Sequence, residues 1–136
     1  SIQAQVLNVM MDAQEKRNLT YLFITHDLSV VEHFGSKVAV MYLGTVCELA
    51  GVKSLFDAPR HPYTQALLSA IPKIDGSGVN HIKMSGEVPT AMDLPSGCVF
   101  HPRCPYANER CRKEIPSLLD NGNTKTSCFA VEEGRI

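Results

Sequence analysis

Two groups of residues in this chain are equipped for chemistry. The first centres on His26, which closes the run Tyr21-Leu22-Phe23-Ile24-Thr25 and precedes Asp27. The run reads as a strand buried on both faces that stops on an imidazole. Ligands of open α/β sheets bind beyond strand ends. A ring that accepts one hydrogen bond and donates another can there read a terminal phosphate and orient a water. The plainer role for His26 is a structural hydrogen bond, and Asp27 reads as the N-cap of the next helix. The second group is Cys98, Cys104, Cys111 and Cys128, spaced C-x5-C-x6-C-x16-C. Metal ligation competes here with scattered buried thiols and an adventitious disulfide. The C-x2-C pairs of zinc ribbons are missing, and long, unequal spacings around loops fit a larger object, an iron–sulfur cluster. A [4Fe–4S] cluster on four thiolates is negative. Arg103, Arg110, Arg112 and Lys113 lie among those cysteines and either offset that charge or form a solvated patch.

The remaining polar residues have simpler readings. Cys47 falls in a strand and reads as a small buried hydrophobe. His61 and Tyr63 flank a helix start and read as local packing. His101, near the four cysteines, is a candidate donor to a sulfur. His33 and His81 have no evident partner.

The elements that position these groups follow from pattern. Ile2, Val6, Val9, Met10 and Ala13 share one face of a helix over residues 2–17. Lys16 and Arg17 suit its negative end, and Asn18 can take the left-handed turn that stops it. Residues 20–25 are the strand before His26. Asp27 to Phe34 is helical, with Leu28, Val31 and Phe34 inward and Gly35 as the stop. Lys37 to Tyr42 and Thr45 to Leu49 form two strands joined by a Leu43-Gly44 hairpin. Val52 to Phe56 is a short helix. Pro62 opens another over Tyr63 to Ala70, ended by Pro72. Asp75 to Asn80 is a linker or turn, and a proline-punctuated, loop-rich tail follows. The favoured boundary divides the chain into residues 1–59 and 60–136.

Bulk properties narrow the class. The 136 residues are 44% hydrophobic and 20% charged with a net charge of −1, as in an ordinary globular protein with no global attraction to nucleic acid. The longest apolar stretch, around Val38 to Leu43, is far too short to cross a bilayer. The first residues lack the marks of a secretory signal, so the expected location is cytosolic. Five cysteines, an odd number, suit reduced thiols or metal ligation better than a disulfide framework.

The strand, Thr25-His26-Asp27-Leu28, the following helix and Lys37-Val38-Ala39-Val40-Met41-Tyr42-Leu43-Gly44 resemble the end of an ABC-transporter ATPase domain. Ser1-Ile2-Gln3-Ala4-Gln5 is similar to the sequence just after that family's D-loop. Arg60-His61-Pro62-Tyr63-Thr64-Gln65-Ala66-Leu67-Leu68, Gly86-Glu87-Val88-Pro89 and Pro95 to Ala107 resemble the C-terminal extension of the dipeptide/oligopeptide (and related nickel) importers. The resemblance implies an α/β fold: residues 1–59 as the C-terminal part of a P-loop ABC ATPase domain, and 60–136 as a small irregular cysteine-containing extension. It implies that His26 is the switch histidine contacting the ATP γ-phosphate, with Mg, and that Cys98, Cys104, Cys111 and Cys128 hold an iron–sulfur cluster. It implies as partners a second ATPase subunit, membrane-spanning permease subunits and, indirectly, an external peptide-binding protein, at the cytoplasmic face of the membrane. No Gly is followed by Lys and no Gly-Gly pair occurs, so the phosphate loop and the signature are absent. By itself the chain is expected to lack ATPase activity and to self-associate through an unpaired strand. The alternative is a zinc-stabilised nucleic-acid-binding or interaction module. Net charge and the lack of an aromatic stacking platform speak against nucleic acid.

Overall fold

The computed structural model describes residues 2–71 and 82–136. They form two compact units, one ending at Ser36 and the other running from Lys37. The expected linker over 75–80, and His81, lie outside the described residues.

In the first unit, helix α1 spans Ile2–Arg17. Asn18 ends it with φ 51°, and the Leu19 amide returns to the Gln14 carbonyl at 3.1 Å, the 6→1 bond of a Schellman stop. Only part of the expected inward face is covered. Met10 and Ala13 are half-buried, whereas Ile2, Val6 and Val9 face solvent. Helix α2, Leu28–Phe34, is capped by Asp27, whose carboxylate accepts from the Ser29 amide at 2.9 Å, and Gly35 ends it. Its buried residue is Val30 rather than Leu28 or Val31, which are half-buried.

The strand expected over residues 20–25 does not form. The segment is irregular, with Leu22 94% and Ile24 90% exposed. A strand needs a neighbour to take its amide and carbonyl groups, and no strand lies in this unit among the described residues. Local propensity survives as packing: Tyr21 and Phe23 set their rings 6.0 and 5.5 Å from that of Phe34.

The second unit is built on a four-stranded, wholly antiparallel sheet in the order β1-β2-β4-β3, which contains the expected Leu43-Gly44 hairpin. Strand β1 is Lys37–Tyr42 and β2 is Thr45–Gly51. Leu43 (φ 45°) and Gly44 (φ 79°) both adopt left-handed backbone, as a two-residue type I′ hairpin demands. Two short strands in the cysteine tail, β3 (Leu119–Asp120) and β4 (Thr124–Thr126), complete the sheet, so the tail is joined to the hairpin by main-chain bonds. Val40 pairs with Glu48 and Met41 with Val46, which leaves Cys47 as the extra residue of a β-bulge. The bulge breaks the alternation of faces, and Cys47 and Glu48 are both buried.

Helix α3 (Val52–Asp57) and helix α4 (Pro62–Ser69) follow, with Leu55 packed under Val40 and Ala50. A second cluster joins Tyr42, Cys47 and Phe100 with the half-buried Cys98 and Cys104. Phe100, 1% exposed, is its anchor: its ring lies 5.3 Å from Tyr42, 5.4 Å from Tyr63 and 5.6 Å from His61. Because Phe100 stands between Cys98 and Cys104 in the chain, packing of one ring seats the loop that carries two of the thiols. Truncation by Phe100→Ala is therefore expected to cost about 3–5 kcal/mol in denaturant unfolding; a loss below about 1 kcal/mol would mean that the ring does not anchor the loop.

Candidate functional site

His26 follows the irregular segment and precedes the Asp27 cap. Its ring is exposed, and among the described residues it has no hydrogen-bond partner. The Asp27 amide is fixed instead by Thr25 Oγ1 at 3.0 Å, so the turn holding the ring is built by its neighbours. His33 pairs with its own helix, through Nδ1 to the Ser29 carbonyl at 2.8 Å.

The four tail cysteines come from separate local structures. Cys98 leaves Gly97, whose φ is +69° and where a Cβ would sit 2.5 Å from the Cys111 carbonyl; only glycine fits. That approach permits the bond from the Cys98 amide to the Cys111 carbonyl at 2.8 Å. A 3-10 turn, His101–Arg103, leads to Cys104. Helix α5, Glu109–Lys113, carries Cys111, whose amide donates to the Asn108 cap at 3.0 Å. Cys128 precedes helix α6, Phe129–Glu132. The His101 ring, a candidate sulfur donor, bonds instead through Nδ1 to the Cys98 carbonyl at 3.0 Å.

These thiols are near enough to feel one another. Burial first, and then Cys128, Cys98 and Cys111, push Cys104 up to about 11. Burial likewise raises Cys98 and Cys128, with the neighbouring thiols adding to the effect. Backbone amides work in the other direction, Phe100 and His101 on Cys98, Tyr106 on Cys104, Val131 and Ala130 on Cys128. A fifth thiol joins them. Cys47, buried as expected, is raised to about 12 by desolvation and then by Cys98 and Cys128. Its carbonyl accepts the Ser127 amide at 2.9 Å, one residue from Cys128. Cys47 and Cys98 also line a mostly apolar cavity of about 300 Å³, together with His61 and Ser127. Among the described residues, no three His, Cys, Asp or Glu side chains converge as a single metal ion requires.

The cations are arranged differently from the sequence reading. Arg110 is taken up by Glu114, Glu132 and Glu133 at 3.1, 3.2 and 3.0 Å, and its guanidinium lies 3.9 Å above the Phe129 ring. Lys113 pairs with Glu109 at 3.0 Å. Arg103 Nε is buried without a partner among the described residues. Arg135 is tied to the cysteine-bearing segments through the main chain: its Nη1 donates to the Tyr106 carbonyl at 2.6 Å, and its charge lowers the pKa of Cys128. It lies 24 residues beyond Cys111, and no local spacing pointed to it.

Glu48 was likewise missed, because alternation alone would have left it on the polar face of β2. It is 0% exposed, and its two oxygens accept the Arg60 and His61 amides, each at 2.9 Å. His61 Nδ1 in turn caps α4 by accepting the Tyr63 amide at 3.1 Å. Burial lowers the His61 pKa from 6.5 to about 4, against a raising contribution from the Ser127 backbone. The folded state thus resists a proton that the unfolded state takes up below pH 6.5. Stability should be at its full value above pH 6.5 and fall as pH drops toward 4, with a flatter profile in His61→Asn; parallel profiles from pH-dependent denaturation would refute this. Glu48→Gln replaces one acceptor by a donor facing an amide and should cost about 1–3 kcal/mol in the same assay.

With this geometry in view, comparisons with known proteins are specific. Residues 47–111 match the family described as Oligopeptide/dipeptide transporter, C-terminal region. The chain is 51% identical over 120 residues (88% of the chain, 34% of the relative) to the probable peptide ABC transporter ATP-binding protein y4tS of Sinorhizobium fredii. It is 54% identical over 123 residues (88% and 37%) to the oligopeptide transport ATP-binding protein AppF of Bacillus subtilis. It is 48% identical over 134 residues (98% and 40%) to the dipeptide transport ATP-binding protein DppF of Escherichia coli. The chain spans 34 to 40% of the length of these relatives. Residues 47–111 thus carry the C-terminal region of the oligopeptide/dipeptide transporter family, and the chain as a whole is similar to ATP-binding proteins of dipeptide and oligopeptide ABC transporters.

Proposed function

We propose that this chain forms part of an ATP-binding subunit that couples ATP binding and hydrolysis, with Mg, to import of di- or oligopeptides. Residues 1–59 then belong to the nucleotide-binding domain and 60–136 to the extension. The reading is carried by the 48% identity that runs through 98% of the chain to a dipeptide transport ATP-binding protein. Its partners in this role are a second ATPase subunit, permease subunits in the membrane and, through them, an external peptide-binding protein. Among the described residues no helix is long and apolar enough to cross a membrane, which suits a peripheral place on the cytoplasmic face. The nucleic-acid alternative finds no support in the relatives' names or in the net charge of −1.

In this role His26 contacts the γ-phosphate of ATP. The exposed, unpartnered ring has a free hydrogen-bonding edge for it. A contact made with ATP and lost with ADP is a differential interaction, and only such a contact shifts a conformational equilibrium. Cys98, Cys104, Cys111 and Cys128 hold an iron–sulfur cluster, which fastens a loop-rich extension with little core of its own. Their shared electrostatic environment and the amides turned toward three of the four sulfurs support this.

A hybrid provides the test: this chain replaces the matching C-terminal region of the Escherichia coli dipeptide transport ATP-binding protein. The hybrid should restore dipeptide uptake, and His26→Ala within it should lower ATP turnover on the order of 100-fold at unchanged protein level. An assembled hybrid without uptake would contradict the transport reading, and unchanged turnover in the variant would contradict the role of His26.

A further inference from the structure

The cavity of about 300 Å³ in the second unit has an exposed rim and a buried floor. Leu94 and Ile115 line it and are 51% and 76% exposed, which marks the mouth. Cys47, His61 and Phe100 line it too and are 3%, 2% and 1% exposed. No Asp, Glu, Lys or Arg contributes to its wall among the described residues. Its polar side chains are mostly engaged elsewhere. Ser127 Oγ donates to the Pro116 carbonyl at 2.7 Å, and Ser96 Oγ to the Arg112 carbonyl at 3.0 Å. His61 Nδ1 accepts the Tyr63 amide at 3.1 Å, so that nitrogen is unprotonated and the imidazole is neutral. Thr45 supplies the one further hydroxyl.

Such a wall selects its guest. A trapped water needs two to four polar partners, and a charge needs a counter-charge or several hydrogen bonds; neither is on offer. An apolar cavity of about 150 Å³ already takes up benzene, so about twice that volume admits two fused rings. The rings of Phe100 and His61 and the soft sulfurs of Cys47 and Cys98 favour an aromatic guest over an aliphatic one. We propose that this cavity is a binding site for an uncharged, apolar molecule of one or two aromatic rings, which enters between Leu94 and Ile115. Triphosphates and zwitterionic peptides carry charges that this lining cannot compensate, so the guest is neither. The guest touches β2, the loop before Phe100 and the Pro116 and Ser127 segments at once. It binds only where these have folded together, and it stabilises the extension by mass action.

The experiment titrates the full chain with indole, an uncharged two-ring probe. The chain contains no Trp, so the emission of indole itself reports its surroundings. Expected are saturable uptake of one indole per chain, emission shifted to shorter wavelength, and a thermal unfolding midpoint that rises with indole concentration. Indole-3-acetate, the same rings bearing a carboxylate, should bind at least about tenfold more weakly. Val46→Phe fills the cavity from its half-buried wall and should weaken indole binding about tenfold or more. Ile115→Asp puts a charge on the exposed rim, where folding is not disturbed, and should weaken it in the same direction. Absence of saturable binding would overturn the inference. So would equal binding of indole-3-acetate, or undiminished binding of indole by a folded Val46→Phe or by Ile115→Asp. If Val46→Phe fails to fold, Ile115→Asp decides alone.

Discussion

The second unit depends on one buried carboxylate. Glu48 is fully enclosed and gives both oxygens to main-chain amides at the start of α4. A charge removed from water is tolerable only where such bonds replace its hydration. The bulge at Cys47 makes the arrangement possible, since it allows two successive side chains of β2 to be buried. From Glu48 the bonding runs onward: His61 is held, caps α4 and meets the Ser127 backbone, and Ser127 bonds to the Cys47 carbonyl. Cys128 is the next residue. The thiol-bearing tail is thus tied to the hairpin by polar bonds at its base and by Phe100 at its centre.

Much of the local structure was legible in residue types. Asn18, Gly35 and Pro62 mark helix boundaries for steric reasons that act within a few residues, and the bounds of α1 and β1 came out as read. The Leu43-Gly44 turn was equally local. What failed depends on partners distant in sequence. Residues 20–25 have the composition of a buried strand, but composition does not supply a neighbouring strand. The short β3 and β4 carry too few residues for periodicity, and only the pairing of β4 with β2 and of β3 with β4 makes them strands.

The candidate site divides in the same way. The four tail cysteines and His26 stood out by type and spacing. Their supporting groups did not. Glu48 drew no reading from the sequence, because only the bulge, set by pairing with β1, turns it inward. Cys47 looked isolated, yet it packs in one cluster with Cys98 and Cys104. The expected compensating cations, Arg110 and Lys113, proved to be paired with carboxylates, while Arg135 bonds to the Tyr106 carbonyl two residues after Cys104. Supporting groups of this kind orient and tune a site through bonds that close large loops.

The proposed role of Cys98, Cys104, Cys111 and Cys128 is to hold one multi-iron group. Chemical analysis of the anaerobically purified chain tests it most directly. The account predicts iron and acid-labile sulfide in equal amounts, and loss of both when Cys98, Cys104, Cys111 or Cys128 is replaced by serine. Stoichiometric zinc, or four free tail thiols with neither iron nor sulfide, would contradict it.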